Sequence, residues 1–404
     1  MRYLEHALAH GIARHRAGDL KEARSVYESL LSQSMDPKIC AAALANLSTL
    51  HQSLGHWVDA RMACADALNI DSRNGVALVA AVRCDRHSGE PQKGLDRLSA
   101  WPTYALPPEL IHEMAMCYDA LGQTTQAYHS FREANRRSSF ENLDVDRNLI
   151  TRYIERNVTL HQSPEPEPWP KAPPMDAPTP IFIVGFNESG GADLAQLLDH
   201  HPAFSVIRGV PALDQARKSL RGRDLEPLGA LTDQDIEHAR AQYFKAASSQ
   251  ARSDTRIIDP LALNSLSLPL LHRIFPDSCI IRMVRHPIET VFQAFMRLHK
   301  VNPVTCHFDS MSRCAQLFLA TSAVTDHFRD TLDIPLFDIR YEDFRAAPIA
   351  YAQAIAESHG EEWAIPEPMA PASPLEQWRR YRTDIAPWTK DLARLAKTQG
   401  YPAK

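Results

Sequence analysis

The sequence has no apolar run that approaches the roughly 18 residues that a membrane-spanning helix requires. Its opening stretch, MRYLEHALAHGIARH, also lacks the apolar core of a secretory signal peptide. We therefore expect no membrane span, and the cytoplasm is the expected compartment.

The sequence also has no large excess of charge of either sign. Lys and Arg number 44 against 49 Asp and Glu, which gives a formal net charge of −5. This balance provides no overall field for nucleic acid or for an anionic membrane, and no stripe of basic and aromatic side chains compensates for it. We expect no nucleic-acid partner.

Cysteine is too dispersed for a disulfide framework or a zinc site. No CxxC pair occurs, and the count is odd. This pattern is typical of reduced thiols that serve as small apolar side chains, so the sequence predicts no metal site. The seven residues are Cys40, Cys64, Cys84, Cys117, Cys279, Cys306 and Cys314.

What is present divides the chain of 404 residues into two parts, as expected for a length beyond one ordinary domain. In the N-terminal part, four segments each place a glycine between two helical patterns. Successive glycines lie 37, 34 and 33 residues apart, which predicts a solenoid of helical hairpins. The glycines are Gly18, Gly55, Gly89 and Gly122.

These segments resemble tetratricopeptide repeats, which have a small residue five positions after the glycine and a large one four positions later. The resemblance implies about four repeats within residues 1–158, whose concave face receives an extended peptide or another protein. The alternative is that the repeats only support the second domain. The small positions hold Ala23, Ala60, Gly94 and Ala127, and the large positions hold Tyr27, Cys64, Leu98 and Phe131.

A proline-rich segment follows the repeats. Residues 164–180 contain eight prolines, a density that excludes helix and removes most backbone donors. We interpret residues 159–180 as an extended and fairly stiff linker.

The remaining part, residues 181–404, alternates short apolar runs with amphipathic stretches. The runs IFIV, RIID, CIIRMV and LFDIRY predict a parallel sheet covered by helices, with a ligand site at the carboxyl ends of the strands. The first run leads into the loop GFNESGGA and a helical pattern, which is the layout of a phosphate-binding loop. However, this loop has no lysine or arginine, and Glu188 lies where a phosphate would approach.

An ordered series of stretches in this part resembles the sulfotransferases, and the whole chain resembles bacterial proteins that join tetratricopeptide repeats to a sulfotransferase domain. The stretches are PIFIVGF, SGG, LLDHHP, DPLALNSLSLPLLHRIFPDSCIIRMVRHPIETV, IRYEDF and QWRRYRTDIAPW. The resemblance implies an α-solenoid followed by a P-loop-like α/β domain with a parallel sheet. Such domains move a sulfuryl group from 3′-phosphoadenosine 5′-phosphosulfate (PAPS) to a hydroxyl or amine.

The same resemblance implies a set of nucleotide-binding residues but also shows departures. Residues that would hold PAPS, or its product 3′-phosphoadenosine 5′-phosphate (PAP), are Gly185, Ser189, Gly190, Gly191, Arg285 and Gln293, with Arg285 and Gln293 on the 3′-phosphate. Glu188 replaces the loop cation of the family, and Gly191 and Ala192 replace its two threonines. Gly209 occupies the position of the glutamate base, and Pro260 that of a lysine. The adenosine-side loop is unrecognisable, since PEPMAPASPLE stands in its place.

Two main functions stay open on this pattern, beside that of an enzyme that uses a different donor in the same cleft. A degenerate family member would keep the fold as a scaffold and bind a protein or peptide through the repeats. An active enzyme would use PAPS to sulfate a protein, a peptide or a small-molecule hydroxyl, with Asp259 as a weak catalytic candidate. The replacements favour the scaffold, because loss of one preorganised electrostatic group costs about 100- to 1000-fold in rate. Hydrolysis of ATP or GTP is disfavoured, because the lysine and hydroxyl of that motif are missing at Gly191 and Ala192.

Overall fold

The protein divides into two compact units. In the computed structural model the described residues are 2–142, 144–160, 169–220, 228–363 and 375–402. The first unit comprises Met1–Asn142 together with Met296–Lys300, and the second comprises Leu143–Phe295 and Val301–Lys404. None of the described helices is long and apolar enough to cross a membrane.

The described part of the first unit is helical, as the sequence predicted, and its helices follow one another as packed pairs. The first helices of successive pairs also pack on one another, α1 on α3, α3 on α5 and α5 on α7. The pairs are α1 (Arg2–Arg16) with α2 (Leu20–Gln33), α3 (Pro37–Ser53) with α4 (Trp57–Ile70), α5 (Gly75–His87) with α6 (Pro91–Ser99), and α7 (Pro108–Ala120) with α8 (Thr124–Phe140).

Glycine forms the turn within each pair. The four turn glycines have φ between +74° and +84°, a left-handed conformation that disfavours residues with a Cβ. The small side chains that follow allow close helix packing, since Ala23, Ala60 and Ala127 are fully buried. The large side chains of Tyr27 and Phe131 fill the space between neighbouring helices and are also fully buried.

The second unit is built on a parallel sheet of five strands in the order β2-β3-β1-β4-β5. The predicted parallel sheet is confirmed, and β2 is the strand that the sequence did not predict. Because β1 pairs with both β3 and β4, the loop that follows β1 emerges at the middle of the carboxyl edge. The strands are β1 (Ile181–Val184), β2 (Phe204–Val206), β3 (Arg256–Asp259), β4 (Cys279–Val284) and β5 (Phe337–Arg340).

Helices surround this sheet and complete its core. Apolar side chains of the strands, such as Ile183 and Met283, pack with Leu194 and Leu198 of the helix after β1. The helices of this unit are α9 (Leu149–Leu160), α10 (Gly191–Leu198), α11 (Ala212–Ser219), α12 (Asp233–Ala247), α13 (Leu268–Ile274), α14 (Pro287–Met296), α15 (Met311–Leu332), α16 (Tyr341–Ala346), α17 (Pro348–Glu357), α18 (Arg382–Ile385) and α19 (Lys390–Thr398).

Helix α9 belongs to the second unit, whereas the sequence analysis assigned most of it to the repeats. The hydroxyl of Tyr153 lies 2.8 Å from Ser267 Oγ, and the guanidinium of Arg217 lies over the Tyr153 ring. The compact body of the second unit therefore includes residues before the proline-rich segment.

The described part of the proline-rich segment, residues 169–180, is bound to the second unit by two buried arginines. Arg273 donates to the backbone oxygens of Pro170, Leu228 and Leu231 at 3.0–3.1 Å. Arg240 donates to Pro173 O at 2.8 Å. Since proline has no N–H, the segment offers carbonyl acceptors, and guanidinium groups supply the donors. Residues 161–168 of the predicted linker lie outside the described residues.

We expect Arg273→Met to lower the free energy of unfolding of the second unit by about 3 kcal/mol, because buried carbonyls lose their donors. Urea denaturation followed by intrinsic fluorescence measures this change. Arg394→Met, at an exposed arginine, is the matched control and should change stability by less than about 0.5 kcal/mol. Equal stability of the two variants would show that Arg273 does not hold the segment.

Candidate functional site

The loop between β1 and α10 lies against β4. Its first residue, Gly185, has φ +147°, and a Cβ there would lie 2.8 Å from Met283 O and 2.9 Å from Ser189 Oγ. Its N–H donates to Ala262 O at 2.9 Å. A side chain at this position would displace the loop, so glycine is required by both the conformation and the space.

The other end of the loop is covered by Tyr341. Gly190 has φ +105° and precedes α10, and a Cβ on it would lie 2.1 Å from a ring carbon of Tyr341. The Tyr341 ring is fully buried, and its hydroxyl donates to the Asp193 carboxylate. Between these points Glu188 has φ +66°, a conformation that costs a residue with a side chain about 1 kcal/mol.

Arg285, the residue expected on a 3′-phosphate, connects the loop to the sheet. It follows β4, and its Nη1 donates to the backbone oxygen of Glu188 at 3.0 Å. Its guanidinium carbon lies 4.7 Å from the centre of the Tyr341 ring. These contacts explain how the loop keeps the unusual conformation of Glu188, since a charged donor binds the carbonyl of that residue.

The charge of Arg285 is balanced inside the protein. Its Nη2 lies 3.3 Å from Oε1 of Glu289, and both side chains are only 1% exposed. Glu289 also accepts from Gln293 Nε2 at 2.7 Å and from the backbone N–H of Trp378 at 3.0 Å. The carboxylate is thus held by several donors, as a buried charge requires.

Gln293, the second residue expected on the 3′-phosphate, belongs to the same network. Besides Glu289, its Nε2 donates to Gln377 Oε1 at 2.9 Å. The amide of Gln293 is therefore directed toward protein acceptors. Burial raises the pKa of the neighbouring Glu289, while the Trp378 N–H and the Arg285 charge oppose that rise.

Asp259, the weak catalytic candidate, is fully buried at the end of β3. It accepts from the backbone N–H of Leu261 at 3.1 Å and from the Tyr243 hydroxyl at 3.3 Å. Burial raises the pKa of this carboxyl to about 7, against hydrogen bonds that lower it. These contacts give Asp259 a clear structural role in the turn after β3.

The positions of the missing base and lysine supply no substitute groups. Gly209 is exposed, and beyond its chain neighbours no heavy atom of the described residues lies within 4 Å of the place where its Cβ would be. The guanidinium of the neighbouring Arg208 is paired with Asp199 at 2.7 Å. Pro260, after Asp259, carries no titratable group. The loop that replaces the adenosine side lies mostly outside the described residues, in 364–374.

A small cavity adjoins the loop. Its volume is about 40 Å³, and Gly185, Ser189, Arg285, Thr290 and Thr321 are among the residues that line it. This space accommodates a few water molecules.

The structure brings Gly185, Ser189, Gly190 and Arg285 together at one loop, and it places Asp259 in the neighbouring buried turn after β3, which leads to the Ala262 oxygen that accepts from Gly185 N–H. Sequence reasoning missed Glu289, the group that balances the arginine. Its position four residues after Arg285, at the start of a predicted helix, is the spacing of an ion pair and could have revealed it.

The parallel sheet and the glycine-bearing loop between β1 and α10 define a P-loop-like α/β domain. A family model described as Sulfotransferase family matches residues 180–365. Residues 180–365 are therefore a sulfotransferase-family domain. No curated protein matches the sequence.

Solved structures similar to the chain include three sulfotransferase structures. The sulfotransferase domain from the Synechococcus PCC 7002 olefin synthase is 18% identical, with 58% of this chain and 99% of that chain covered and a TM-score of 0.33. A sulfotransferase from Alicyclobacillus acidocaldarius is 18% identical, with 55% and 97% covered and a TM-score of 0.35. Sulfotransferase STF9 from Mycobacterium avium is 14% identical, with 85% and 86% covered and a TM-score of 0.32.

The residues present do not fit PAPS in the manner of the family. The nucleotide carries negative charge at its 3′-phosphate and at its phosphosulfate end, and each end needs cations. At one end the chain has Glu188, and at the other Arg285 is already paired with a buried carboxylate. The backbone layout of a phosphate loop remains, but the side chains do not supply the matching charge.

Asp259 should make stability depend on pH in a defined direction. Its folded pKa of about 7 lies above the ordinary value of 3.8. Its contribution is therefore complete below about pH 4 and falls by about 4 kcal/mol as the pH rises to about 7.

Asp259→Asn keeps an acceptor for the Leu261 N–H and cannot ionise. The variant should therefore gain stability relative to wild type as the pH rises from 4 to 8. Urea denaturation of both proteins at each pH measures this difference in the free energy of unfolding. A difference that is constant over this range would contradict the buried, uncharged state of Asp259.

Proposed function

We propose that this chain is a catalytically degenerate sulfotransferase-family protein that acts as a protein- or peptide-binding scaffold through its N-terminal helices. The observation that carries the proposal is the buried pair of Arg285 and Glu289 beside a loop whose cation position holds Glu188. In this proposal the domain retains the strands and the loop backbone of the family, whereas the charged groups of the site are replaced or neutralised.

Electrostatics is the first support for the loss of catalysis. Sulfuryl transfer needs positive groups that stabilise charge on the transferred group and on the leaving phosphate. Arg285 directs one nitrogen to a backbone oxygen and another to Glu289. A 3′-phosphate would have to displace Glu289 from a site with 1% exposure, which leaves a buried carboxylate without its cation.

The second support is that neither of the two candidate positions, Gly209 and Asp259, supplies a base to the site. A general base must lie within hydrogen-bond reach of the acceptor hydroxyl. Gly209 has no side chain, and Asp259 is enclosed by Tyr243 and the turn after β3. These losses act on one site, so their effects on rate are not additive, but each removes a different requirement of the reaction.

The alternative is an active PAPS-dependent sulfotransferase acting on a protein, a peptide or a small-molecule hydroxyl. It is favoured by the retained loop geometry at Gly185, Ser189 and Gly190. The N-terminus of α10 follows this loop, and helix N-termini attract anions through their unpaired N–H groups. In this alternative, backbone groups alone would hold the phosphosulfate.

The scaffold function requires a binding surface, and we assign it to tetratricopeptide repeats formed by helices α1 to α8. The support is that paired helices with a left-handed turn glycine stack through the first helix of each pair. In such repeats the first helices line a concave face that receives an extended peptide. The expected partner is therefore a protein or peptide, and the expected compartment is the cytoplasm.

Restoring the missing charges tests the degenerate site. We expect no calorimetric heat when wild type is titrated with PAP up to about 1 mM, which corresponds to binding weaker than about −4 kcal/mol. The double variant Glu188→Arg/Glu289→Gln should bind PAP at least about tenfold more tightly, because it adds a loop cation and leaves Arg285 available to the 3′-phosphate. Since Arg285 loses its buried anion, the variant should also be less stable than wild type, and binding is measured below its melting temperature.

Glu188→Gln is the matched control, since it removes the loop carboxylate without adding a cation. A gain confined to the double variant supports the assignment of the loop and of Arg285. Micromolar binding of PAP by wild type would contradict the proposal of a degenerate site and favour the active enzyme.

The peptide-binding surface has its own test. Peptides selected on the full-length protein from a random display library should slow amide hydrogen exchange in α1, α3, α5 and α7. The second helix of each pair, α2, α4, α6 and α8, serves as the internal control and should exchange at an unchanged rate. Protection restricted to these second helices, or to the second unit, would be inconsistent with a repeat groove.

A further inference from the structure

The turn between α3 and α4 brings three metal-binding side chains together. Gly55, with φ +74°, reverses the chain, and the backbone oxygen of His51 accepts from the N–H groups of Leu54 and His56. The His51 and His56 rings consequently lie with their centres 6.0 Å apart. Asp59 follows in the first turn of α4, three residues after His56, and so projects from the same side of that helix.

From this cluster we propose that His51, His56 and Asp59 form a binding site for one divalent transition-metal ion, with Zn²⁺ as the natural occupant. One ring nitrogen from each histidine and one carboxylate oxygen of Asp59 all lie within 4.8 Å of one another. The site belongs to the first unit and is independent of the sulfotransferase-family domain and of its proposed loss of activity. It departs from the absence of metal that the sequence predicted.

The anchor of the site is His51, which is only 7% exposed. Its Nδ1 is buried and has no hydrogen-bond partner among the described residues. Leaving a buried polar atom without a partner is unfavourable, and such atoms in native proteins commonly indicate a ligand, an ion or a water. His56 and Asp59 are exposed, so they can rotate toward an ion that His51 holds in place.

The surrounding charges suit a dication. Near Asp59 the other charged groups include Arg24 and Glu28 of α2, which pair with each other at 2.7 Å. Their charges cancel, so Asp59 leaves the site with one net negative charge.

The donor set selects the class of metal. Two imidazole nitrogens and one carboxylate oxygen suit Zn²⁺, Co²⁺, Ni²⁺ and Cu²⁺, whereas Mg²⁺ and Ca²⁺ prefer oxygen ligands. In a tetrahedral zinc site the ligands lie about 2.0–2.2 Å from the ion, hence about 3.3 Å from one another. A closure of about 1.5 Å at most, through rotation of the two exposed side chains, converts the cluster into this geometry and leaves a fourth position open to water.

A bound ion would connect the last turn of α3 to the first turn of α4. Because the ligands come from both sides of one turn, the metal would bind the folded state more tightly than the unfolded chain. Such binding raises the melting temperature in proportion to the logarithm of metal concentration. The expected role is structural, as a clamp on this helical pair.

The test uses the full-length, untagged protein freed of metal with a chelator, and the probes are Zn²⁺ and Co²⁺ alone. Calorimetry should show one Zn²⁺ per chain, and Co²⁺ should develop the intense visible absorption of a tetrahedral complex. His56→Ala should weaken Zn²⁺ binding by about tenfold or more, and Asp59→Asn by several-fold. Both residues are exposed, so neither variant should unfold the protein.

His6→Ala is the matched control, because His6 and His10 form an exposed histidine pair at helical spacing on α1. This variant should bind Zn²⁺ as wild type does. The proposal is overturned if wild type binds no Zn²⁺ at about 100 μM, or if His56→Ala binds as tightly as wild type. It is equally overturned if His6→Ala, rather than His56→Ala, abolishes binding.

Discussion

The ion pair between Arg285 and Glu289 is the interaction on which the candidate site depends. Arg285 follows β4, and its guanidinium binds the backbone of the loop after β1 and contacts the ring of Tyr341 in α16. A single side chain therefore connects the ends of two strands with α16. A cation so deeply buried requires an anion, and Glu289 supplies it at the start of α14. The arrangement that orders the loop therefore also pairs the Arg285 charge with a carboxylate of the protein.

Other residues that match the family pattern also make contacts that explain their presence by packing. Asp259 could be read as a chemical group, yet its oxygens accept from a turn N–H and from a buried tyrosine. Gly185 and Gly190 have the conformations of a phosphate loop, yet each is also required by a close approach of Met283 or Tyr341. Packing alone is sufficient to require these residue types, so a motif-like stretch is not by itself evidence of the chemistry.

How far the sequence predicts this structure depends on the range of the interactions. Strands β1, β3, β4 and β5 are recognisable because each spans four or more residues and includes isoleucine with at least one further apolar residue, whereas β2 has three residues and too little pattern. The pairing of Arg285 with Glu289 is local and was open to prediction. The contact between Gln293 and Gln377 joins residues 84 positions apart, and only the fold reveals it. The cluster at His51 lay between these cases, because its three residues are close in sequence but meet only through the turn at Gly55.

The described part of the proline-rich segment belongs to the folded body of the second unit. The stretch that matches the family begins at residue 180, whereas Arg240 and Arg273 reach carbonyl groups at Pro170 and Pro173. A gene fusion or an expression boundary placed at residue 180 would leave these two buried guanidinium groups with unmatched donors. The junction is thus a component of the domain itself, and it cannot be exchanged as a neutral spacer when domains are recombined.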